Sequence, residues 1–401
     1  MHAHIKKVLM ASAAMATLTL GSAAMAQEEV KVGVILGFTG PIESLTPDMA
    51  ASAELAMKEV SDSGLLLGGA TVTPIRGDST CVDAAAATAA AERLITSDNV
   101  VAIVGADCSG VTTAIAESVA IPNGVVMVSP SATSPALTTI TDNGYFFRTA
   151  PSDARQGEVL ANVVMERGIE TVAITYTNND YGKGLADSFA AAYEALGGTV
   201  AATAAHEDGK ADYSAEVAAL SASGADTLAV FGYVDQGGKG IIQTALDTGA
   251  FSSFILGDGM IGQSLIDNIG DGLNGTIGTV PGSDSEGAAN FDVYARDSGI
   301  EGDGPYRAES YDAAALILLA MQAAGSSDRA AIQGEIMNVA NAPGEPIGPG
   351  ELAKGLQILA DGGEIDYVGA TNVEMTDVGE AFGSYKELEV MDGAFSTIQV
   401  R

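Results

Sequence analysis

The residues best suited to chemistry are acids and hydroxyls at the ends of predicted strands. Asp258 lies between two glycines directly after the strand 254–256, where a lone carboxylate can receive a cation. Ser109 stands at a predicted helix start, where free backbone N–H groups and the helix dipole favour an anion. Ser131 and Thr133 follow another strand and offer hydroxyl and amide donors at the same edge. An anion site on one half of the chain and a cation site on the other suit a zwitterionic ligand.

A purely structural explanation also exists for the hydroxyl residues. Ser109 and Ser134, taken singly, are better explained as helix N-caps, which is the commoner role of serine at a helix start. Only the combination with Asp258 favours a ligand.

The signal for catalysis is weak. His2 and His4 lie in an N-terminal targeting segment, so His206 is the single histidine on which a triad or a zinc site would have to rest. Its polar surroundings, 205–210, predict a solvated loop. The sequence contains neither a Gly-x-Ser-x-Gly elbow nor a Walker A loop. We expect no enzyme, no metal and no cofactor, although a secreted carboxylate-dependent hydrolase stays open.

One pattern matches a cofactor fingerprint, since residues 257–262 read Gly-x-Gly-x-x-Gly after a strand and before a helix. In dinucleotide-binding proteins the glycine amides meet a pyrophosphate. Asp258 would place a negative charge inside that contact, and no acid ends the next strand. We interpret the match as chance.

The first 26 residues predict a signal peptide. Lys6 and Lys7 precede an apolar stretch, 8–20, that is too short to span a bilayer, and 24–26 reads Ala-Met-Ala. Polar residues follow at once, which disfavours an uncleaved anchor. We expect cleavage after Ala26 and release into a periplasm, and neither cysteine lies where a lipoprotein would carry its lipid.

The charge of the chain excludes some partners. Removing Lys6 and Lys7 from 18 basic and 52 acidic residues leaves a net charge of −36 at pH 7. This sign is wrong for nucleic acid or an anionic membrane. The acids are spread along the chain, so they indicate a strongly hydrated surface.

The two cysteines, Cys81 and Cys108, are 27 residues apart. In an oxidising compartment we expect them to be paired, which would stabilise the fold by ~3–4 kcal/mol in the chain-entropy model. A pair of buried free thiols is the alternative.

Strand-like apolar runs alternate with helical patterns from residue 30 onward, and the rhythm restarts after 148–151. This order predicts an α/β protein with two doubly wound parallel sheets, each covered by helices on both faces. The last two runs, 385–391 and 394–400, flank an Asp-Gly turn and predict a hairpin.

Several motifs in this order resemble those of one family. They are Val32–Ile42, Val128–Thr133, Phe147–Ala150, Asp180–Gly184 and Ile365–Ala370. The chain is similar over nearly its whole length to the periplasmic leucine/isoleucine/valine-binding proteins, type I solute-binding components of ABC importers. Cys81 and Cys108 also fall where the first-lobe disulfide of that family lies.

The resemblance implies two lobes joined by three hinge crossings near Thr149, Thr279 and Glu380. Lobe 1 would comprise 27–148 and 280–380, and lobe 2 would comprise 149–279 and 381–401. It implies capture of a small amino acid, hinge closure, and delivery to a membrane permease by a monomer.

The resemblance also assigns ligand roles by position. Four residues would hold the ligand carboxylate, one would meet the ammonium, and two tyrosines would cover the ligand, although a tyrosine there could instead only pack against its neighbour. The four carboxylate contacts would be Ser109, Ser131, Ala132 and Thr133. The ammonium contact would be Asp258, and the covering tyrosines would be Tyr181 and Tyr233.

The loop 40–49 departs from the family pattern. It is one residue longer and carries Glu43, Ser44 and Leu45 where an aromatic residue commonly lines the side-chain pocket. Leu45 would give an aliphatic wall and Glu43 would add an acidic contact. Aliphatic, branched-chain amino acids are therefore a default, and an amide, a urea-like compound or a small organic acid is the alternative.

Overall fold

The first part of the chain forms a parallel five-stranded sheet in the computed structural model, which describes residues 28–401. Its elements are β1 (Glu29–Leu36), α1 (Thr46–Ser63), β2 (Thr71–Asp78), α2 (Ala84–Thr96), β3 (Ala102–Gly105), α3 (Ser109–Ile115), β4 (Val126–Ser129) and β5 (Phe146–Arg148). The strand order is β2-β1-β3-β4-β5. β3 and β4 are buried along their whole length, as expected for strands with helices on both faces.

A second unit of alternating helices and strands follows. Its elements are α4 (Asp153–Glu166), β6 (Thr171–Thr177), α5 (Asp180–Ala195), β7 (Thr199–His206), α6 (Ser214–Ser221), β8 (Thr227–Phe231), α7 (Gly237–Thr248), β9 (Ser253–Leu256), α8 (Gln263–Ile269) and β10 (Ile277–Pro281). The five strands of this unit pair in parallel in the order β10-β9-β8-β6-β7.

The C-terminal part returns to the first sheet and then completes the second. Its elements are α9 (Glu286–Asp297), α10 (Arg307–Ala324), α11 (Arg329–Ala340), β11 (Glu345–Ile347), α12 (Leu352–Ala360), β12 (Ile365–Tyr367), β13 (Tyr385–Met391) and β14 (Ala394–Val400). α10 packs against α1 and is buried over most of its surface. β13 pairs antiparallel with β10 and with β14.

The chain passes between the two large sheets at three places. The first passage follows β5, the second follows β10 and the third precedes β13. Arg148 and Glu380 form an isolated parallel bridge, so the first and third passages lie side by side. The Gln156 amide in α4 donates to the Thr279 carbonyl at 3.0 Å and so contacts the second passage.

Arg148 is buried beside these passages. Its guanidinium donates to the carbonyl oxygens of Ala132 at 3.0 Å and Ser134 at 2.9 Å. The other nitrogen donates to Thr138 Oγ1 at 2.8 Å and to Glu380 Oε2 at 2.5 Å. One side chain thus ties the loop after β4 to the third passage.

The predicted α/β architecture of two doubly wound sheets is confirmed, as are the hairpin and the disulfide. Cys81 and Cys108 are bonded with their Cα atoms 5.1 Å apart. Three strands, β5, β11 and β12, were not predicted because three residues are too few to show a period. β10 continues in the second sheet to Pro281.

The predicted signal peptide lies outside the described residues. Between residues 28 and 401, none of the helices combines the length and the apolar character that crossing a membrane requires.

Candidate ligand-binding site

A small cavity lies where the reversal points of the two sheets face each other. In the first sheet the chain order reverses between β1 and β3, and in the second it reverses between β6 and β8. Open α/β sheets bind ligands beyond the carboxyl ends of the strands at such points. The cavity measures about 20 Å³, and its walls are Ile42, Leu45, Met49, Asp107, Cys108, Ser109, Ser131, Tyr181, Tyr233, Asp258, Gly259 and Tyr306.

Asp258 is a buried acid of this cavity on the side of the second sheet. It begins a 3-10 turn directly after β9 and is 2% exposed. The Tyr181 hydroxyl donates to Oδ1 at 2.9 Å, and the Tyr306 hydroxyl donates to Oδ2. The Gly259 N–H donates in turn to the Tyr181 oxygen at 3.0 Å, which fixes that ring. The carboxylate is therefore oriented from two sides.

Burial raises the pKa of Asp258, while the hydroxyls of Tyr306 and Tyr181 oppose this rise by donating to the carboxylate. Both tyrosines are themselves buried, and desolvation keeps the pKa of each hydroxyl well above its ordinary value. They therefore remain donors. A carboxylate that accepts hydrogen bonds from two neutral donors can pair with the positive charge of a ligand, and so replace the water that this charge loses on burial.

Two tyrosines of the second sheet cover one wall. Tyr181 is the second residue of α5, whose N-cap Asn179 accepts from the Gly182 N–H at 3.0 Å. The rings of Tyr181 and Tyr233 stack with their centroids 5.3 Å apart. Asn179 Nδ2 donates to the Tyr233 hydroxyl at 3.2 Å. The aromatic wall is thus rigid.

The hydroxyl residues lie on the opposite wall, at the ends of β3 and β4. Ser109 begins α3, and its Oγ accepts from the Ser134 N–H at 3.0 Å. Ser131 Oγ donates to the Asp107 carbonyl at 3.2 Å. Ser134 is an N-cap, since its Oγ accepts from the Ala136 N–H at 3.3 Å. The N-cap explanation is therefore correct for Ser134. It is wrong for Ser109, because the N-cap of α3 is Cys108.

Ala132 and Thr133 lie behind this wall. Both are fully buried, and neither lines the cavity. The Thr133 carbonyl accepts from the Asp153 N–H at 2.8 Å, so the loop is joined to the start of α4. Their contact with a ligand stays a prediction.

Asp107 lines the cavity but is occupied by the fold. Its carboxylate accepts from the Gly37 N–H at 2.5 Å, from Ser79 Oγ at 3.1 Å and from the Cys108 N–H at 2.9 Å. Burial raises its pKa and these donors lower it. Asp107 therefore holds the loops after β1, β2 and β3 together.

The loop after β1 supplies an apolar wall. Leu45, Ile42 and Met49 are buried and line the cavity, whereas Glu43 is exposed and does not. The acidic contact expected from Glu43 is therefore wrong for this arrangement, because its side chain faces solvent.

The same loop is bonded across the cleft. The Ser44 N–H donates to Asp235 Oδ2 at 2.9 Å, and Ser264 Oγ donates to Asp235 Oδ1 at 2.8 Å. The Asp235 N–H donates to the Pro41 carbonyl at 3.0 Å. These contacts hold the first-sheet loop against the second sheet, which is a closed arrangement.

The family model described as periplasmic binding protein matches residues 29–353. The chain belongs to the periplasmic binding protein family. Its type I fold, two α/β units joined by three passages, is that of the family, and the resemblance predicted from the sequence motifs is confirmed.

Individual members of the family are similar over most of the chain. Leu/Ile/Val-binding protein homolog 1 of Brucella abortus is 30% identical over 81% of this chain and 86% of its own length. The leucine-, isoleucine-, valine-, threonine-, and alanine-binding protein of Pseudomonas aeruginosa is 28% identical over 79% and 84%. The crystal structure of the leucine binding protein LivK of Thermotoga maritima superimposes with a TM-score of 0.76 at 26% identity, covering 92% and 98%. These relatives are binding proteins, not enzymes.

Tyr306 is the main residue of this family member's cavity that sequence reasoning missed. It precedes α10 with a backbone φ of 64°, a left-handed conformation that is rare for a tyrosine. The segment Gly302–Pro305 before it is a turn sequence. An aromatic residue between such a turn and a buried helix was the available signal.

His206 corrects one expectation. It ends β7, is 1% exposed, and its Nδ1 lies 2.9 Å from Thr175 Oγ1. Burial lowers its pKa to about 4, so the ring is neutral. The predicted solvated loop is wrong because the strand continues two residues further than its apolar pattern.

Proposed function

We propose that this protein is the extracytoplasmic solute-binding component of an ABC importer. It captures a small aliphatic amino acid, branched-chain by default, between two lobes and delivers it to a membrane permease. The lobes are those predicted from the sequence, 27–148 with 280–380 and 149–279 with 381–401, except that β10 keeps residues 280 and 281 in the second sheet. Membership of the family and the names of the relatives support this assignment.

The observation that carries the proposal is the position of Asp258. It is a buried carboxylate that accepts hydrogen bonds from two neutral donors. Across the same cavity it faces Ser109 and Ser131, which we call the serine wall. A zwitterion placed there would direct its ammonium to Asp258 and its carboxylate to Ser109 and Ser131. Each buried charge of the ligand then has a partner, which burial requires.

The other predicted residues complete this arrangement. In this arrangement the Ala132 N–H donates to Ser129 Oγ at 2.9 Å, so of the two predicted backbone donors the Thr133 N–H is the one left to assist the carboxylate. Tyr181 and Tyr233 cover the ligand. Leu45, with Ile42 and Met49, meets an aliphatic side chain. Contacts to both lobes stabilise the closed form, which gives selectivity without catalysis.

The cavity of about 20 Å³ has room for little more than one water molecule. We infer that an amino acid enters while the lobes are apart and is enclosed as they close. The bonds between Ser44 and Asp235 would form as the lobes close.

Export and assembly are part of the same proposal. We expect the periplasmic form to begin at Gln27 after cleavage behind Ala26 and to be a monomer. N-terminal sequencing of the exported protein and light scattering test these two points.

The decisive experiment identifies the ligand and then removes the acid. Mass spectrometry of the protein purified without added ligand is followed by calorimetric titration with L-leucine, L-isoleucine, L-valine and L-alanine. Asp258→Ala should weaken binding by ~2–5 kcal/mol, because it leaves the ammonium unpaired. Asp271→Ala removes an exposed acid of the second sheet as a matched control and should change nothing.

Tight binding by Asp258→Ala would reject the site. Release of an amide, a urea-like compound or an organic acid, with none of the amino acids bound, would reject the ligand class and leave Asp258 as an acceptor for N–H groups. Turnover of an added compound would favour the hydrolase.

A further inference from the structure

Asp153 is a second buried acid beside the site. It is the first residue of α4 and is fully buried. Neither of its carboxyl oxygens has a hydrogen-bond partner within residues 28–401. A buried charge without a partner is among the most destabilising features a fold can contain, so the state of this carboxyl needs a physical account.

Two neighbouring side chains carry polar atoms in the same condition. Thr133 Oγ1 and Gln156 Oε1 are buried and without a partner among the described residues. Thr133 is joined to Asp153 through its backbone carbonyl at 2.8 Å, and Gln156 lies one helical turn after Asp153. Gln156 Nε2 donates to the Thr279 carbonyl at 3.0 Å and to Thr279 Oγ1 at 3.2 Å. Its amide is therefore fixed, and Oε1 is left as an acceptor.

The protonation state of Asp153 decides whether these atoms can be satisfied. An ionised carboxylate only accepts hydrogen bonds, so Thr133 would be its single donor and Gln156 Oε1 would have none. A carboxylic acid can donate to Gln156 Oε1 and accept from the Thr133 hydroxyl at the same time. One proton would thus supply the donor that Gln156 Oε1 lacks and leave an oxygen of Asp153 able to accept from Thr133.

The charges around Asp153 favour the same state. Burial raises its pKa well above the ordinary value, and the nearby Asp258 raises it further, while Thr133 and Arg148 oppose the rise. Asp258 accepts from two hydroxyls, whereas the Asp153 carboxyl has no hydrogen-bond partner among residues 28–401, so we assign the proton of the two acids to Asp153. The ionisable groups that face Asp153 are Arg148 on β5, Tyr181 on α5, Asp258 after β9, Tyr306 before α10 and Tyr385 on β13.

We propose that Asp153 is a positioning residue that remains a neutral carboxylic acid, donating to Gln156 Oε1 and accepting from the Thr133 hydroxyl. Gln156 borders Asp258, and Thr133 lies behind the wall formed by Ser109 and Ser131, so this acid lies between the two ends of the site. The inference rests on the proposed function. Because the donors of the fold occupy the Asp107 carboxylate, Asp258 is then the one acid of the site left for a cation, which matches the single ammonium of an aliphatic amino acid and disfavours dibasic ones.

Asp153→Asn tests this proposal, because an amide is neutral and both donates and accepts. Calorimetry with L-leucine and L-lysine is run at pH 6, 7 and 8 on the wild type, Asp153→Asn and Asp258→Asn. We expect Asp153→Asn to bind L-leucine within about threefold of the wild type at pH 6. We expect the same agreement at pH 7 and pH 8, since the amide then replaces an acid that stays neutral.

The two proposals fail differently. If Asp258→Asn binds L-leucine as the wild type does, the proposed site is wrong. If Asp258→Asn loses L-leucine and Asp153→Asn loses it at least thirtyfold at every pH, Asp153 is ionised and our inference alone is wrong. Preferential binding of L-lysine by the wild type contradicts it as well.

A measurement without ligand decides the inference if L-leucine does not bind. Asp153 has a raised pKa in the folded state, so it is expected to destabilise the wild type as the pH rises above about 3.9, its ordinary unfolded value. The urea midpoint of Asp153→Asn should therefore move upward relative to the wild type between pH 4 and pH 8. An equal or falling difference, or failure of Asp153→Asn to fold at pH 7, contradicts a neutral acid.

Discussion

Tyr306 and Asp258 are 48 residues apart in sequence and are joined by a buried hydrogen bond across the cleft. The tyrosine precedes α10, which packs against the first sheet, and the aspartate follows β9 of the second. The acid proposed to receive the ligand therefore also joins the two halves of the protein.

Tyr306→Phe removes the donor to Oδ2 and keeps the ring. We expect the free energy of unfolding to fall by about 1.5–3 kcal/mol, because a buried charged acceptor loses a hydrogen bond. Urea unfolding followed by circular dichroism measures this change. Tyr176→Phe is the control, since the hydroxyl of this half-buried tyrosine has no hydrogen-bond partner within residues 28–401. Equal losses in both variants would show that the bond to Asp258 contributes nothing.

Asp235→Ala removes the acceptor for the Ser44 N–H and Ser264 Oγ. These bonds exist only when the loop after β1 lies against the second sheet, and they are partly exposed. We expect the ligand to dissociate about two- to tenfold faster with a nearly unchanged association rate, as for most interface substitutions. Stopped-flow tyrosine fluorescence with L-leucine measures both rates. A slower association with unchanged dissociation would contradict a closing contact.

Replacing Cys81 and Cys108 by serine together removes the cross-link over 27 residues. The unfolded chain gains freedom, and we expect the free energy of unfolding to fall by ~3–4 kcal/mol. Urea unfolding of wild type and variant with and without reductant is the measurement. The reductant should destabilise only the wild type. If it destabilises both equally, the loss does not come from the bond.

His206 makes stability depend on pH in a direction opposite to that of Asp153. Burial lowers its folded pKa to about 4 from an ordinary 6.5, so the unfolded chain binds the proton first. Its contribution is present above pH 6.5 and is lost as the pH falls toward 4, by at most ~3 kcal/mol. His206→Asn, which keeps a partner for Thr175, should lack this part of the pH dependence. Parallel curves for both proteins would rule out His206 as the cause.

Most of the architecture could be predicted because long elements carry a period. The alternation of strands and helices from residue 30 onward and the C-terminal hairpin could be predicted, since each of these elements is long enough to show its pattern. β5 and β12 escaped prediction because a three-residue strand has no period, and their pairing depends on neighbours distant in sequence. The end of β7 could not be predicted for the same reason, because its pairing with β6 extends the strand to His206.

The site could be predicted in part for a topological reason. Asp258, Ser109 and Ser131 follow strand ends, and parallel sheets bring strand ends to one edge, whereas Tyr181 was implied only by the resemblance to the family. Tyr306 could not be placed, because it follows no strand and reaches the cavity only through the packing of α10. The orphaned atoms around Asp153 are visible only in three dimensions, since the sequence does not show which donors surround an acid.

Arg148 has a mechanical consequence. Its backbone and side chain bind the third passage, and the same guanidinium holds the carbonyl oxygens of Ala132 and Ser134. Two strands fastened at one point cannot slide past each other, so we expect relative rotation of the sheets to be confined to bending about an axis near Arg148. Ala132 and Ser134 lie against the Arg148 guanidinium and therefore beside that axis, so we expect their loop to move little as the sheets rotate.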